Sequence, residues 1–154
     1  MKERSAKWAK FQLDMFNSDA FQDLGKPATT ILLYTLFQLE WHSTSKKATK
    51  AKWVCSNAND IKLHYATFVD QYKMNNSSVT RGIDSLLANG FIKINEQGGS
   101  CKGHTSRYSI SNKWRTWKKG DAPVSVRQPF RKRGWTDPKK NKHAKSVNTY
   151  MQDQ

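Results

Sequence analysis

Residues 61–110 read IKLHYATFVDQYKMNNSSVTRGIDSLLANGFIKINEQGGSCKGHTSRYSI, and the order of elements they imply decides the fold. Ile61-Lys62-Leu63 has the alternation of a short strand. Tyr65, Phe68, Val69 and Tyr72 then recur at spacings of three and four, the period of one helix face. Lys73-Met74-Asn75-Asn76 interrupts that period. Its two asparagines tolerate left-handed and turn backbone, and Met74 is flexible enough to plug a corner between helices. Ser77 or Ser78 is expected to cap the next helix, whose inward stripe is Val79, Gly82, Ile83, Leu86 and Leu87. Asn89-Gly90 closes it, because glycine past a helix end takes positive φ without strain. Phe91-Ile92-Lys93-Ile94 alternates as a strand, residues 97–104 make a glycine-rich tip, and residues 106–110 return as a second strand.

Outward from this unit the chain supplies a body and two basic ends. Asn17-Ser18 is an N-cap before Asp19, opening a short helix with Phe21 and Leu24 on one side until Gly25 stops it. Pro27 suits a first helical position, and apolar residues from Ile31 to Trp41 predict a buried central helix over residues 27–42. Residues 43–52 are polar, carry Lys46, Lys47, Lys50 and Lys52, and read as a loop. Residues 53–55 and 61–63, either side of a turn at 56–60, suggest a hairpin. Near the end of the body, Trp114 and Trp117 stand three apart in a short helix or turn that packs back on it. Residues 1–16 place Trp8, Phe11, Met15 and Phe16 among Lys2, Arg4, Lys7 and Lys10, an arm or helix whose aromatics dock on the core. Residues 119–154 hold nine Lys+Arg, three Asp and only scattered apolar groups, the composition of a disordered tail. The expected fold is α+β: a winged helix-turn-helix over residues 17–118, with a C-terminal two-stranded wing, an N-terminal arm and a basic tail.

The totals narrow the function classes. With 154 residues there is room for one domain of ordinary size. Twenty-seven Lys+Arg against 12 Asp+Glu give a formal net charge of +15, far more than solubility requires and a prediction of a polyanionic partner. Cys55 and Cys101 are the two cysteines, without a CxxC pair, so neither a disulfide framework nor a zinc knuckle is expected. No signal segment and no apolar run near the roughly 20 residues of a membrane helix is present, which points to a cytoplasmic protein. His42, His64, His104 and His143 are scattered without ligand spacing. Paired carboxylates, a phosphate-binding glycine loop and a nucleophile motif are lacking, so neither an enzyme nor a cofactor is expected. Six tryptophans would suit base stacking, but most stand at helical or strand spacing where a small core needs bulk.

Four linked signals, ILLYTLFQLEW, IKLHY, SSVTRGIDSLLANGFIKI and SRYSIS followed by NKWRTW, resemble the winged helix-turn-helix proteins of bacterial plasmids, phages and integrated elements. That group includes replication initiators and transcriptional regulators. The resemblance covers residues 17–118, and LLANGFIKI is similar to its passage from recognition helix into wing. It implies binding of double-stranded DNA, as a regulator or replication accessory factor of a mobile element, in a bacterial, nucleoid-associated setting. An initiator role is the alternative, tilted against by the lack of room for a second domain. A protein-interaction adaptor and an RNA binder would use the same basic surface.

The residues expected at DNA follow from these elements. Arg81 can bond a guanine bidentately, while Asn76, Ser77, Ser78, Thr80 and Ser85 supply short polar groups for phosphates or base edges. Asp84 opposes phosphate unless it pairs with Arg81 or accepts from a cytosine amine. On the wing, Lys102, His104 and Arg107 suit phosphates or an adjacent minor groove. In the tail, Arg127-Gln128-Pro129-Phe130-Arg131-Lys132-Arg133-Gly134-Trp135 sets the consecutive cations Arg131, Lys132 and Arg133 between two aromatics, a DNA arm or a docking peptide for a protein partner. A solvated surface is the plain alternative for each set. Phe11, Met15 and Phe16 fit either a homodimer contact or the closing of a monomer's core.

Overall fold

The computed structural model of the chain describes residues 9–44, 52–98 and 105–128. Among them the architecture is α+β, with five α-helices and two small antiparallel sheets. Two single turns, α1 (Leu13–Phe16) and α2 (Asp19–Gln22), precede α3 (Lys26–Phe37). Strand β1 (Trp41–Ser43) pairs with β2 (Trp53–Cys55). Then come β3 (Ile61–Lys62), α4 (Tyr65–Tyr72), α5 (Asn76–Ala88), β4 (Ile92–Glu96) and β5 (Arg107–Ile110), followed by a 3₁₀ turn at Lys113–Arg115. The second sheet has the order β3-β5-β4, so the last strand is central.

Helix α5 is placed by its apolar stripe. Val79, Ile83, Leu86 and Leu87 are all 0% exposed, and they pack on Ala28, Ile31, Leu32 and Leu36 of α3. Phe68 of α4, Ile61, Ile92 and Tyr108 of the sheet, and Phe91 close this core. Burying each large side chain contributes roughly 1.5–3 kcal/mol, so the stripe alone fixes which side of α5 faces outward. Behind the sheet, Trp114 stacks on Phe91 with ring centroids 5.9 Å apart and an interplanar angle of 9°. Trp117 is buried beside it, so these two tryptophans are core. Trp53, by contrast, is 54% exposed.

Capping is partly where the sequence placed it. Ser18 Oγ accepts the Phe21 N–H at the start of α2, and Gly90 takes φ 77° after α5. At the α4–α5 turn the roles shift by two residues. Lys73, not an asparagine, takes the left-handed conformation at φ 55°, and the Met74 N–H reaches back to the Phe68 carbonyl. Asn75, rather than Ser77 or Ser78, is the N-cap, its Oδ1 accepting the Ser78 N–H at 2.7 Å. Asn outcompetes Ser here because extended backbone at position 75 aims its carboxamide at the third N–H of the helix.

Two further expectations are corrected. The central helix stops at Phe37 instead of running to 42, and Trp41 lies in β1. Asn57, far away in sequence, donates to the Gln38 carbonyl and accepts the Glu40 N–H, so a tertiary clasp overrides the helical period. The hairpin pairs 41–43 with 53–55; β3 pairs instead with β5, in register Ile61 to Tyr108. In the N-terminal segment the described residues, from Ala9 on, form the turn α1, where Met15 is buried while Phe11 and Phe16 remain 37% and 47% exposed in a cluster with Phe21.

The packed body also extends past residue 118. The Val124 N–H bonds the Ala88 carbonyl at the end of α5. At the far end, Gln97 donates to the Gln128 carbonyl and accepts the Gln128 N–H. Residues 121–128 therefore form a strap from the end of α5 to the β4–β5 hairpin. The rest of the expected tail lies outside the described residues.

Candidate nucleic-acid interface

The outward side of α5 consists of two ridges, each with residues four apart. One is Ser77, Arg81 and Ser85; the other is Thr80, Asp84 and Ala88. They differ in what surrounds them.

The first ridge borders open solvent. Ser77 and Arg81 are exposed and Ser85 half-buried, and none has a side-chain partner among the described residues. Arg81, Gly82 and Ser85 edge a groove of about 340 Å³ with Gly25, Pro27 and Ala28 at the start of α3. Asn76 is exposed at the first turn, and Ser78 spends its N–H on the Asn75 cap. Among the described residues Arg81 is thus an unpaired guanidinium one turn on from Ser77, where short polar side chains keep the approach low.

The second ridge is under the strap. Arg127 donates from Nη1 to Tyr65 Oη at 3.1 Å and from Nη2 to the Thr80 carbonyl at 3.0 Å. Its Nε lies 2.6 Å from Asp84 Oδ1, a close ion pair without the alignment of a hydrogen bond. Thr80 Oγ1 donates to the Asn76 carbonyl, which leaves Tyr65 Oη as donor to Thr80. A directed chain results, from Arg127 through Tyr65 and Thr80 to the first residue of α5, in which each bond polarises the next. Burial lowers the pKa of Arg127, but the hydrogen bond to Tyr65 and the neighbouring Tyr65 and Asp84 outweigh it and the net direction is up. Arg127 is a fixed cation.

The hairpin is less open than expected. Arg107 Nη1 pairs with Asp60 Oδ1 at 3.1 Å and its Nε with Glu96 Oε2 at 3.4 Å. Two carboxylates hold the guanidinium expected on phosphate. Lys102 and His104 on the tip, and Arg131, Lys132 and Arg133 in the tail, lie outside the described residues.

The structure therefore brings together Asn76, Ser77, Ser78, Arg81 and Ser85, covers Thr80 with Tyr65 and the strap, and ties Arg107 to acids. Sequence reading missed Tyr65 and Gln97, and it placed Arg127 and Gln128 in the tail arm without foreseeing that they dock on α5 and the hairpin. A weak signal was available: Val124-Ser125-Val126 alternates as an extended segment does, and Asp84 is an acid left alone on a basic surface. Among the described residues no cluster of three His, Cys, Asp or Glu could hold a metal ion, and no helix is long and apolar enough to cross a membrane. No protein-family model, curated protein or solved structure matches the chain.

Proposed function

We propose that this chain is a winged helix-turn-helix protein that binds double-stranded DNA, with α4 and α5 as the helix-turn-helix, α5 as its recognition helix and the β4–β5 hairpin as its wing. One observation carries the reading. Helix α5 buries a complete apolar stripe and turns outward an open ridge of Ser77, Arg81 and Ser85, in a chain of net charge +15. A helix inserted in a major groove needs that combination: a fixed orientation, short side chains that avoid clashes, and an arginine able to bond a guanine twice. Phosphate contacts by the surrounding lysines would supply most of the affinity and make it salt-sensitive. In this reading the role is that of a transcriptional regulator or replication accessory factor, as in the mobile-element proteins the sequence resembles.

The test is selection from random-sequence duplex DNA at two salt concentrations, with sequencing of the bound fraction. A motif whose enrichment survives the higher salt is expected, with symmetry that reports the oligomeric state. Arg81→Ala should lower affinity by about 1–3 kcal/mol and relax one base position. Binding without any motif, or tighter capture of structured RNA than of duplex, rejects sequence-specific DNA recognition.

A further inference from the structure

Helix α5 carries one cation, Arg81, and one acid, Asp84, so its own charges cancel. Asp84 is 48% exposed at its side chain, on the ridge next to Arg81, where its field opposes any phosphate that Arg81 attracts. The strap changes that balance. Arg127 is 21% exposed and sits 2.6 Å from Asp84. It is anchored by Tyr65 and by the Thr80 carbonyl, and the strap's last described residue is clamped to Gln97. These contacts hold it in place.

Building on the duplex-DNA reading, we propose that Arg127 is an electrostatic member of the interface: by neutralising Asp84 it gives the outward side of α5 the net positive charge that phosphate contact requires. The guanidinium is too enclosed to meet a base edge, so it acts through Asp84. Charge arithmetic then orders the variants. The face formed by Arg81, Asp84 and Arg127 carries +1 in the wild type, 0 in Arg127→Gln, +2 in Asp84→Asn and +1 in the double variant.

The measurement is fluorescence anisotropy of all four full-length proteins on a selected duplex at one fixed salt concentration, with thermal melts alongside. Arg127→Gln should bind about tenfold more weakly, Asp84→Asn more tightly than wild type, and the double variant within about twofold of wild type. Restoration by removing the acid is what a purely structural strap would not give. Tighter binding by Arg127→Gln would mean that the strap shields the face, and equal binding by all four that it is electrically idle; either overturns the proposal. If Arg127→Gln does not fold, Asp84→Asn decides, and binding no tighter than wild type rejects the idea. A wild-type protein that binds no duplex removes the DNA reading and this proposal with it, an outcome visible before any variant is compared.

Discussion

Gly82 of α5 and Ile31 of α3 touch where no side chain larger than hydrogen fits: a Cβ at Gly82 would lie 2.7 Å from Ile31 Cδ1 and 3.2 Å from backbone atoms of Pro27 and Ala28. Ile31 could swing its terminal methyl aside, but the α3 backbone could not. Gly82→Ala gains about 1 kcal/mol of helix propensity and loses more to overpacking, typically 1–3 kcal/mol. A net destabilisation of up to about 2 kcal/mol is expected by urea denaturation. A stabilised variant would show that α3 and α5 separate easily.

Lys73 sits at φ 55°, left-handed backbone that costs a residue with a Cβ about 1–2 kcal/mol. Glycine avoids that cost but orders a more flexible unfolded chain. Lys73→Gly should therefore raise stability by about 0.5–1 kcal/mol, read as a higher denaturation midpoint with unchanged slope. No gain would mean that the turn relaxes away from this conformation.

What the sequence made legible was periodic and local. The stripe of α5, the Asn89-Gly90 stop and the alternating strands sit where three-, four- and two-residue spacings put them, whereas of the α4 stripe Phe68 is buried and Tyr72 stays 43% exposed. The partners of those elements were not legible, because pairing across a gap leaves no local trace. Trp41 looked helical until Asn57 clasped the chain at Gln38 and Glu40. β3 has only two residues and no turn that names its partner, so its pairing with β5 follows from the packed core. At the candidate site the open ridge was readable from α5 alone. The pairing of Arg127 with Asp84 was not, for one arginine among nine tail cations carries no pattern that points to a helix acid.

Asn89 shows the same limit, since it reads as a cap residue and also works as a tie. Only 3% exposed, it donates from Nδ2 to the Ala20 carbonyl at 3.0 Å and lies 3.4 Å from Asp23 Oδ2, joining α2 to the end of α5. Asn89→Ala strands that carbonyl in a buried setting and should cost about 1–3 kcal/mol. Hydrogen exchange should show α2 opening more readily than α5 in the variant. Uniform loss of protection across both helices would instead place Asn89 in the global core.

Tyr108 predicts how stability depends on high pH. It is 3% exposed in the central strand, opposite Ile61 and Ile94. Burial raises its pKa above the ordinary 10.0, and the Ser106 hydrogen bond and the Arg127 charge only partly oppose this. In the folded protein the phenol keeps its proton to higher pH than in the unfolded chain. That advantage is fully present below pH 10 and is lost as pH rises from there through the elevated folded value. Lysines titrate in the same range, so the informative quantity is the stability difference between wild type and Tyr108→Phe. It should stay constant up to about pH 10 and then shift in favour of the phenylalanine variant. Urea denaturation at intervals to about pH 12 measures it, and a difference that stays flat throughout would mean that Tyr108 ionises as readily in the sheet as in water.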